Sequence, residues 1–133
     1  MAKSLRSIVE NKAEELGWSC SFEKQKRTVC NGGKWDKEVT EKYVEFSQMS
    51  PAGEDFSFYV FYDKLEDIPM EVYDYYEDFD VDDHVQMWLE AKDRGVGGVP
   101  SARTLVKDAE EIEEMILALS MAIRDAFGKR GIW

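Results

Sequence analysis

Residues 56–62 read Phe56-Ser57-Phe58-Tyr59-Val60-Phe61-Tyr62, an aromatic run with no charge, Gly or Pro inside it. Aromatic and β-branched residues in so short a run mark a strand. Its nearly continuous apolar character predicts a central strand. Working backwards, Ser50-Pro51-Ala52-Gly53-Glu54 reads as a turn, and Tyr43-Val44-Glu45-Phe46 before it resumes strand character. Further back, Trp18, Cys20 and Phe22 alternate, as in a strand buried on one face. Between these two stretches lie the basic Lys24-Gln25-Lys26-Arg27, Val29, which fits strand or loop, and the turn signal Asn31-Gly32-Gly33. Three antiparallel strands joined by local connections follow from this order.

Outside the strands the apolar period changes to that of a helix. Leu5, Ile8, Val9, Ala13 and Leu16 share one face, with Ser4 or Ser7 as cap and Gly17 as stop. After Asp63, Pro69 suits a first helical turn, and Met70, Tyr73, Tyr76 and Phe79 fall together. Asp80 can cap a further helix with Val81, Val85, Trp88 and Leu89 inward and Gly95 at its end. Gly95-Val96-Gly97-Gly98-Val99-Pro100 reads as a linker, and Ser101 opens another helical stretch. Asp108 and Glu111 form a capping-box pattern. Behind them Ile112, Met115, Ile116, Leu119, Ile123 and Phe127 make a long apolar face that Gly128 ends, before a frayed tail over Lys129–Trp133. The reading is α+β: a three-stranded antiparallel sheet, an N-terminal helix and three to four C-terminal helices, in the order α-β-β-β-α-α-α. Helices on one face of the sheet bury these stripes most simply.

A chain of 133 residues with 44% hydrophobic and 13% aromatic residues can build one core, so residues 1–133 are read as a single domain. Two cysteines imply no disulfide framework. The start, Met1-Ala2-Lys3-Ser4-Leu5-Arg6, has cations with no apolar run behind them, so no secretory signal is expected and the compartment is read as cytoplasmic. No membrane span is expected either.

The net charge is −11, and it is unevenly placed. Residues 54–93 hold 14 of the 28 acids and only 2 of the 17 bases, Lys64 and Lys92, which leaves the rest of the chain near neutrality. Such a balance disfavours direct binding to nucleic acid or to an anionic membrane. It favours a basic protein surface as partner. Tyr73, Tyr75, Tyr76 and Phe79 lie among the acids. Carboxylates rising about 1.5 Å per residue along a helix can imitate the charge density of duplex DNA, about one charge per 1.7 Å. The plainer reading is that these acids are solvated helix faces, with Asp80, Asp82 and Asp83 favoured by a helix N-terminus.

Catalytic and metal chemistry find weaker support. His84 is the lone histidine, and with Asp80 it offers two ligands where a tight site wants three or four; an exposed or half-buried helical histidine is the simpler expectation. Asp78-x-Asp80-x-Asp82 opens like a calcium loop but has Asp83 where Gly is needed and Leu89 where Glu is needed. Cys20 lies between Trp18 and Phe22 and reads as a buried structural thiol, with Cys30 beside a turn less settled. The Gly95–Gly98 stretch follows a helix and lacks the lysine of a phosphate loop. No acid/base pair stands out among so many carboxylates, no cofactor is expected, and the chain is read as a non-enzyme. The basic Lys24–Arg27 stretch, with Lys34 and Lys37, can face the acidic half, making the molecule bipolar or internally neutralised.

The run from Phe79 to Ala91, Phe79-Asp80-Val81-Asp82-Asp83-His84-Val85-Gln86-Met87-Trp88-Leu89-Glu90-Ala91, is followed by Gly97-Gly98-Val99-Pro100-Ser101 and Leu105-Val106-Lys107-Asp108-Ala109. This C-terminal part resembles small acidic proteins of Gram-positive gut bacteria, often carried on mobile elements. No catalytic role attaches to the resemblance and no functional residue is carried over by it. It implies a context in which small acidic proteins block restriction or CRISPR nucleases. The expected function is a non-catalytic protein-binding module, with Glu71, Asp74, Tyr75, Glu77, Asp78, Asp82 and Asp83 as partner contacts. The alternative is an oligomeric structural or adaptor protein whose helix Asp108–Phe127 supplies the interface.

Overall fold

A computed structural model describes residues 4–31, 35–93 and 102–129. The chain runs α1 (Leu5–Glu15), β1 (Ser19–Asn31), β2 (Trp35–Met49), β3 (Asp55–Tyr62), a short 3-10 turn (Leu65–Asp67), α2 (Ile68–Asp78), α3 (Val81–Asp93) and α4 (Ala102–Lys129). This is the expected order. Gly32 and Gly33, the Gly95–Pro100 linker, Ser101 as the opening of the next helix, and the tail beyond Lys129 lie outside the described residues. Among the described residues, no helix is long and apolar enough to cross a membrane.

Local signals set the boundaries of α1. The Ser4 Oγ accepts a hydrogen bond from the Ser7 backbone N–H at 3.1 Å, a cap worth about 1 kcal/mol. At the other end Gly17 takes φ +88°. Its N–H reaches the Glu14 carbonyl at 3.0 Å, while that of Trp18 reaches Ala13 at 2.8 Å. Only glycine takes this left-handed turn without strain. The turn drops Trp18 directly into the core.

The strands form one antiparallel sheet in the order β1-β2-β3. β1 pairs with β2 from Ser19↔Ser47 to Asn31↔Trp35, whereas β3 pairs only with the later part of β2, from Lys42↔Tyr62 to Met49↔Asp55. The β1–β2 hairpin therefore continues past the three-stranded sheet as a two-stranded ribbon. The basic stretch lies on this ribbon and is partly neutralised there: Lys26 faces Glu38 at 3.6 Å and Arg27 faces Glu41 at 2.9 Å.

β3 is an edge strand and β2 is central, contrary to the expectation from residues 56–62. The aromatic run is divided between two faces. Phe56, Phe58 and Val60 are buried on the inner face, whereas Tyr59 and Phe61 remain 55% and 40% exposed on the outer one. There they pack with Tyr43, all three ring centroids lying 5.4–5.7 Å apart. Cross-strand aromatic packing makes an outer face apolar without any layer covering it.

Beneath the inner face α1 contacts β1, α2 contacts β3, and α4 lies between the two helices in contact with both. Ile112, Ile116, Leu119, Ile123 and Phe127 of α4 join Trp18, Val44, Phe46 and Phe58 in the main core. The apolar face proposed for an oligomer interface is thus buried inside the molecule. A smaller cluster joins Val85 and Trp88 of α3 to Leu105 and Ala109 of α4.

Asp108 does not start a helix. It sits inside the unbroken α4 and is 3% exposed. Its carboxylate holds the β2–β3 turn instead of capping its own helix. The Ser50 hydroxyl donates to Oδ2 at 2.6 Å and the Ala52 N–H to Oδ1 at 2.8 Å. On α2 the inward residues are Ile68, Pro69 and Val72, with Tyr75, Tyr76 and Phe79 partly buried against the core. Met70 and Tyr73 are exposed, at 57% and 42%, because the helix is turned to seat Tyr75 on Phe58.

Cys20 packs against the core, and burial, followed by the nearby Glu10, pushes its thiol up from 9.0 to about 12. Since the thiolate is the nucleophile, alkylation of Cys20 by iodoacetamide at neutral pH is expected to be at least about a hundredfold slower in the folded chain than in urea. Mass spectrometry of the Cys20 peptide measures it; equal rates would place that thiol in solvent.

Candidate acidic interface

Most carboxylates of the acidic segment follow the end of β3. Asp63 follows the strand, Asp67 ends the 3-10 turn, and α2 carries Glu71, Asp74 and Asp78. Steps of three and four residues keep side chains on one helical stripe, so Asp67, Glu71, Asp74 and Asp78 line a single flank of α2. Tyr75, next to that stripe, stacks on Phe58 with centroids 4.5 Å apart, and Phe79 meets Phe56 edge-on at 6.1 Å. Phe61, Tyr62 and Asp63 share a depression with Asp67 and Glu71. α2 therefore runs back along β3. Its other flank, with Met70 and Tyr73, borders a groove of about 550 Å³ against Leu117, Met121 and Arg124 of α4. The acidic stripe consequently lies on the side of α2 away from α4, along the open edge of β3.

The stripe is electrostatically uncompensated. Among the described residues no carboxylate of α2 lies in an ion pair, while Arg6–Glu10, Lys12–Glu15 and the ribbon pairs neutralise acids elsewhere. Glu71 is raised above the ordinary glutamate value by partial burial first, then by Asp74, Asp67 and Asp63. Like charges held together disfavour one another's ionised form. Arg27 and Lys42 border the depression at the start of α2. Lys42 is engaged there, donating to the Asp63 carbonyl at 2.7 Å.

Asp80 caps α3 by accepting from the Asp83 N–H at 3.1 Å, which presents Asp82 and Asp83 exposed on the first turn. Asp83 and Asp78 meet at a shallow depression of about 220 Å³ with Phe79, His84 and Met87, so the two acidic helices form one surface there. Of the expected contacts, Glu71, Asp74 and Asp78 lie on the stripe, and Asp82 and Asp83 at its far end. Glu77 sits on a different side of α2, where it accepts from the Tyr73 hydroxyl and so raises that group's pKa. Tyr75 is largely withdrawn into the Phe58 stack, and its phenol is raised by burial. Asp63 and Asp67 add to this acidic surface: Asp67 stands four residues before Glu71, a spacing that finds it, whereas Asp63 precedes the helix and is brought beside Asp67 and Glu71 by the turn after β3.

His84 is buried, not exposed. It is 8% exposed, its Nε2 lies 3.0 Å from Glu54 Oε2, and its ring packs against Phe56 and Phe79. The Glu54 N–H donates to Ser50 Oγ at 2.9 Å, and the Ser50 proton goes to Asp108. Histidine, glutamate, serine and aspartate thus tie the β2–β3 turn to α3 and α4. The hydroxyl is committed to Asp108, so this network serves as an anchor for the turn. Among the described residues no group of three or more His, Cys, Asp or Glu side chains is placed to hold a metal ion. Asp80, once weighed as a ligand beside His84, has its carboxylate at the helix cap. The side chain of Cys30 lies outside the described residues.

Comparison with protein families, curated proteins and solved structures gives no match for this chain.

Proposed function

We propose that this chain is a non-catalytic binding module whose acidic α2–α3 surface engages a basic surface on another protein, acting as a mimic of nucleic acid that blocks a restriction or CRISPR nuclease or another nucleic-acid-binding protein. The observation that carries this reading is the unpaired stripe of Asp67, Glu71, Asp74 and Asp78. Successive carboxylates on it are separated by about 4.5–6 Å of helix rise, against about 3.4 Å of axis per phosphate on one strand of DNA, so the stripe is a sparser line of negative charge of the same order. Close-set like charges weaken the folded state, and a cationic partner relieves that repulsion on binding. Association should be fast and lost with salt, because steering by charge dominates it.

Capture from a bacterial lysate at ~50 mM and ~500 mM salt, with duplex DNA as competitor, tests the reading. A nucleic-acid-binding protein should be retained at low salt, released at high salt and displaced by the duplex. The triple variant Asp74→Lys, Glu77→Lys, Asp78→Lys should lose that capture while its unfolding free energy stays within about 0.5 kcal/mol of the parent or rises. Retention by the folded triple variant would sink the proposal.

A further inference from the structure

We infer that the open edge of β3 takes an extended basic segment of a partner protein as a fourth strand. This rests on the reading of the acidic flank as the binding side and goes on to name what binds there. β3 pairs with β2 alone, so one of its edges carries a row of backbone N–H and C=O groups with no strand beside it among the described residues. Proteins guard such edges with lysine, proline or a bulge. β3 reads Asp-Phe-Ser-Phe-Tyr-Val-Phe-Tyr, has neither lysine nor proline, and its register on β2 runs one-to-one without a bulge.

The acidic stripe runs beside this edge. From Asp67 to Asp78 it extends about 16 Å, against about 20 Å from Phe56 to Tyr62 on the strand. A strand added to β3 would turn alternate side chains toward the helix layer, where Glu71, Asp74 and Asp78 stand. Lysine or arginine at those positions meets the carboxylates. The intervening side chains point to the outer face and extend the patch of Tyr59 and Phe61, which suits aromatic or β-branched residues. The fitting occupant alternates basic and apolar residues and binds by backbone hydrogen bonds with charge for selectivity. A second copy of this chain fits poorly. Antiparallel pairing of β3 with itself about Tyr59 sets Asp55 opposite Asp63 at both ends and brings two acidic stripes together.

The test uses the intact protein and a fluorescent peptide of alternating lysine and valine as long as β3. Two twins carry the same charge but have every second backbone nitrogen methylated, in one frame or the other. Antiparallel addition, the more stable pairing, with the lysines toward the helix layer directs only one frame of N–H groups at β3. One twin should therefore bind about tenfold or more weakly while the other matches the parent, since each lost hydrogen bond contributes about 1 kcal/mol. The amides of Asp55–Tyr62 should gain protection from hydrogen exchange. Equal binding by the parent and both twins overturns strand addition but leaves the acidic surface intact as a charge-only site. No binding by the parent peptide, or a dimer of the free protein paired through β3, also overturns it. Peptide binding unchanged in the Asp74→Lys, Asp78→Lys variant would instead remove the acidic flank from the reading.

Discussion

Asp108→Ala is expected to lower the free energy of unfolding by about 3–5 kcal/mol, because two hydrogen bonds to a buried charged group vanish together. The Ser50 hydroxyl and the Ala52 N–H both lose their acceptor, and Ser50, 4% exposed, cannot turn to water. The turn they belong to also presents Glu54 to His84, so loosening it weakens the hold on α3 as well as on α4. Asp108→Asn should cost less, about 1–2 kcal/mol, since its carbonyl still accepts from Ala52 and its amide can donate to Ser50 Oγ, leaving only the Ser50 hydroxyl proton without its acceptor. Urea unfolding of the two variants checks the order. If Asp108→Ala loses no more than Asp108→Asn, the turn is not held by this carboxylate. A protein of this size is marginally stable, about 5–15 kcal/mol, so the alanine variant should lose a large share of its stability.

Phe46→Ala should have an effect of the same size, about 3–5 kcal/mol, for a different reason. Phe46 is wholly buried on the central strand, with Phe58 at 5.4 Å and Trp18 at 6.5 Å between ring centroids. Neighbours on β1 and β3 are fixed by sheet hydrogen bonds and cannot collapse into the space left behind. The matching control is Met87→Ala. Met87 is 61% exposed, and its truncation should stay within about 0.5 kcal/mol of the parent. Denaturant midpoints separate the two. A loss below about 1 kcal/mol at Phe46 would mean that the core is not centred on β2.

The order of elements was legible from the chain because it rests on near neighbours. Ser4 caps Ser7, Gly17 reverses the chain after Glu14, and Asp80 caps Asp83, each within three residues. Alternation at Trp18, Cys20 and Phe22 and the helical period from Ile112 to Phe127 are equally local, and both describe what is buried. The concentration of acid between Glu54 and Asp93 is a property of composition, and its stripe on α2 follows from helical geometry alone.

What the chain could not disclose depends on partners far along it. Asp108 looked like a helix cap because Glu111 follows three residues later; its actual partner, Ser50, is 58 residues away. His84 looked exposed or half-buried among aspartates, and its partner Glu54 is 30 residues away. Residues 56–62 specify a strand, but whether that strand is central or at an edge depends on whether another strand pairs with its second side, which side-chain composition does not encode. The flank of α2 that bears the acids was fixed by periodicity. That this flank lies along the open edge of β3 was decided only when Tyr75 stacked on Phe58 and the opposite flank met α4. Hydrogen bonds and periods within a turn of helix are written in adjacent residues, whereas packing between distant segments sets the neighbours that give those residues their roles.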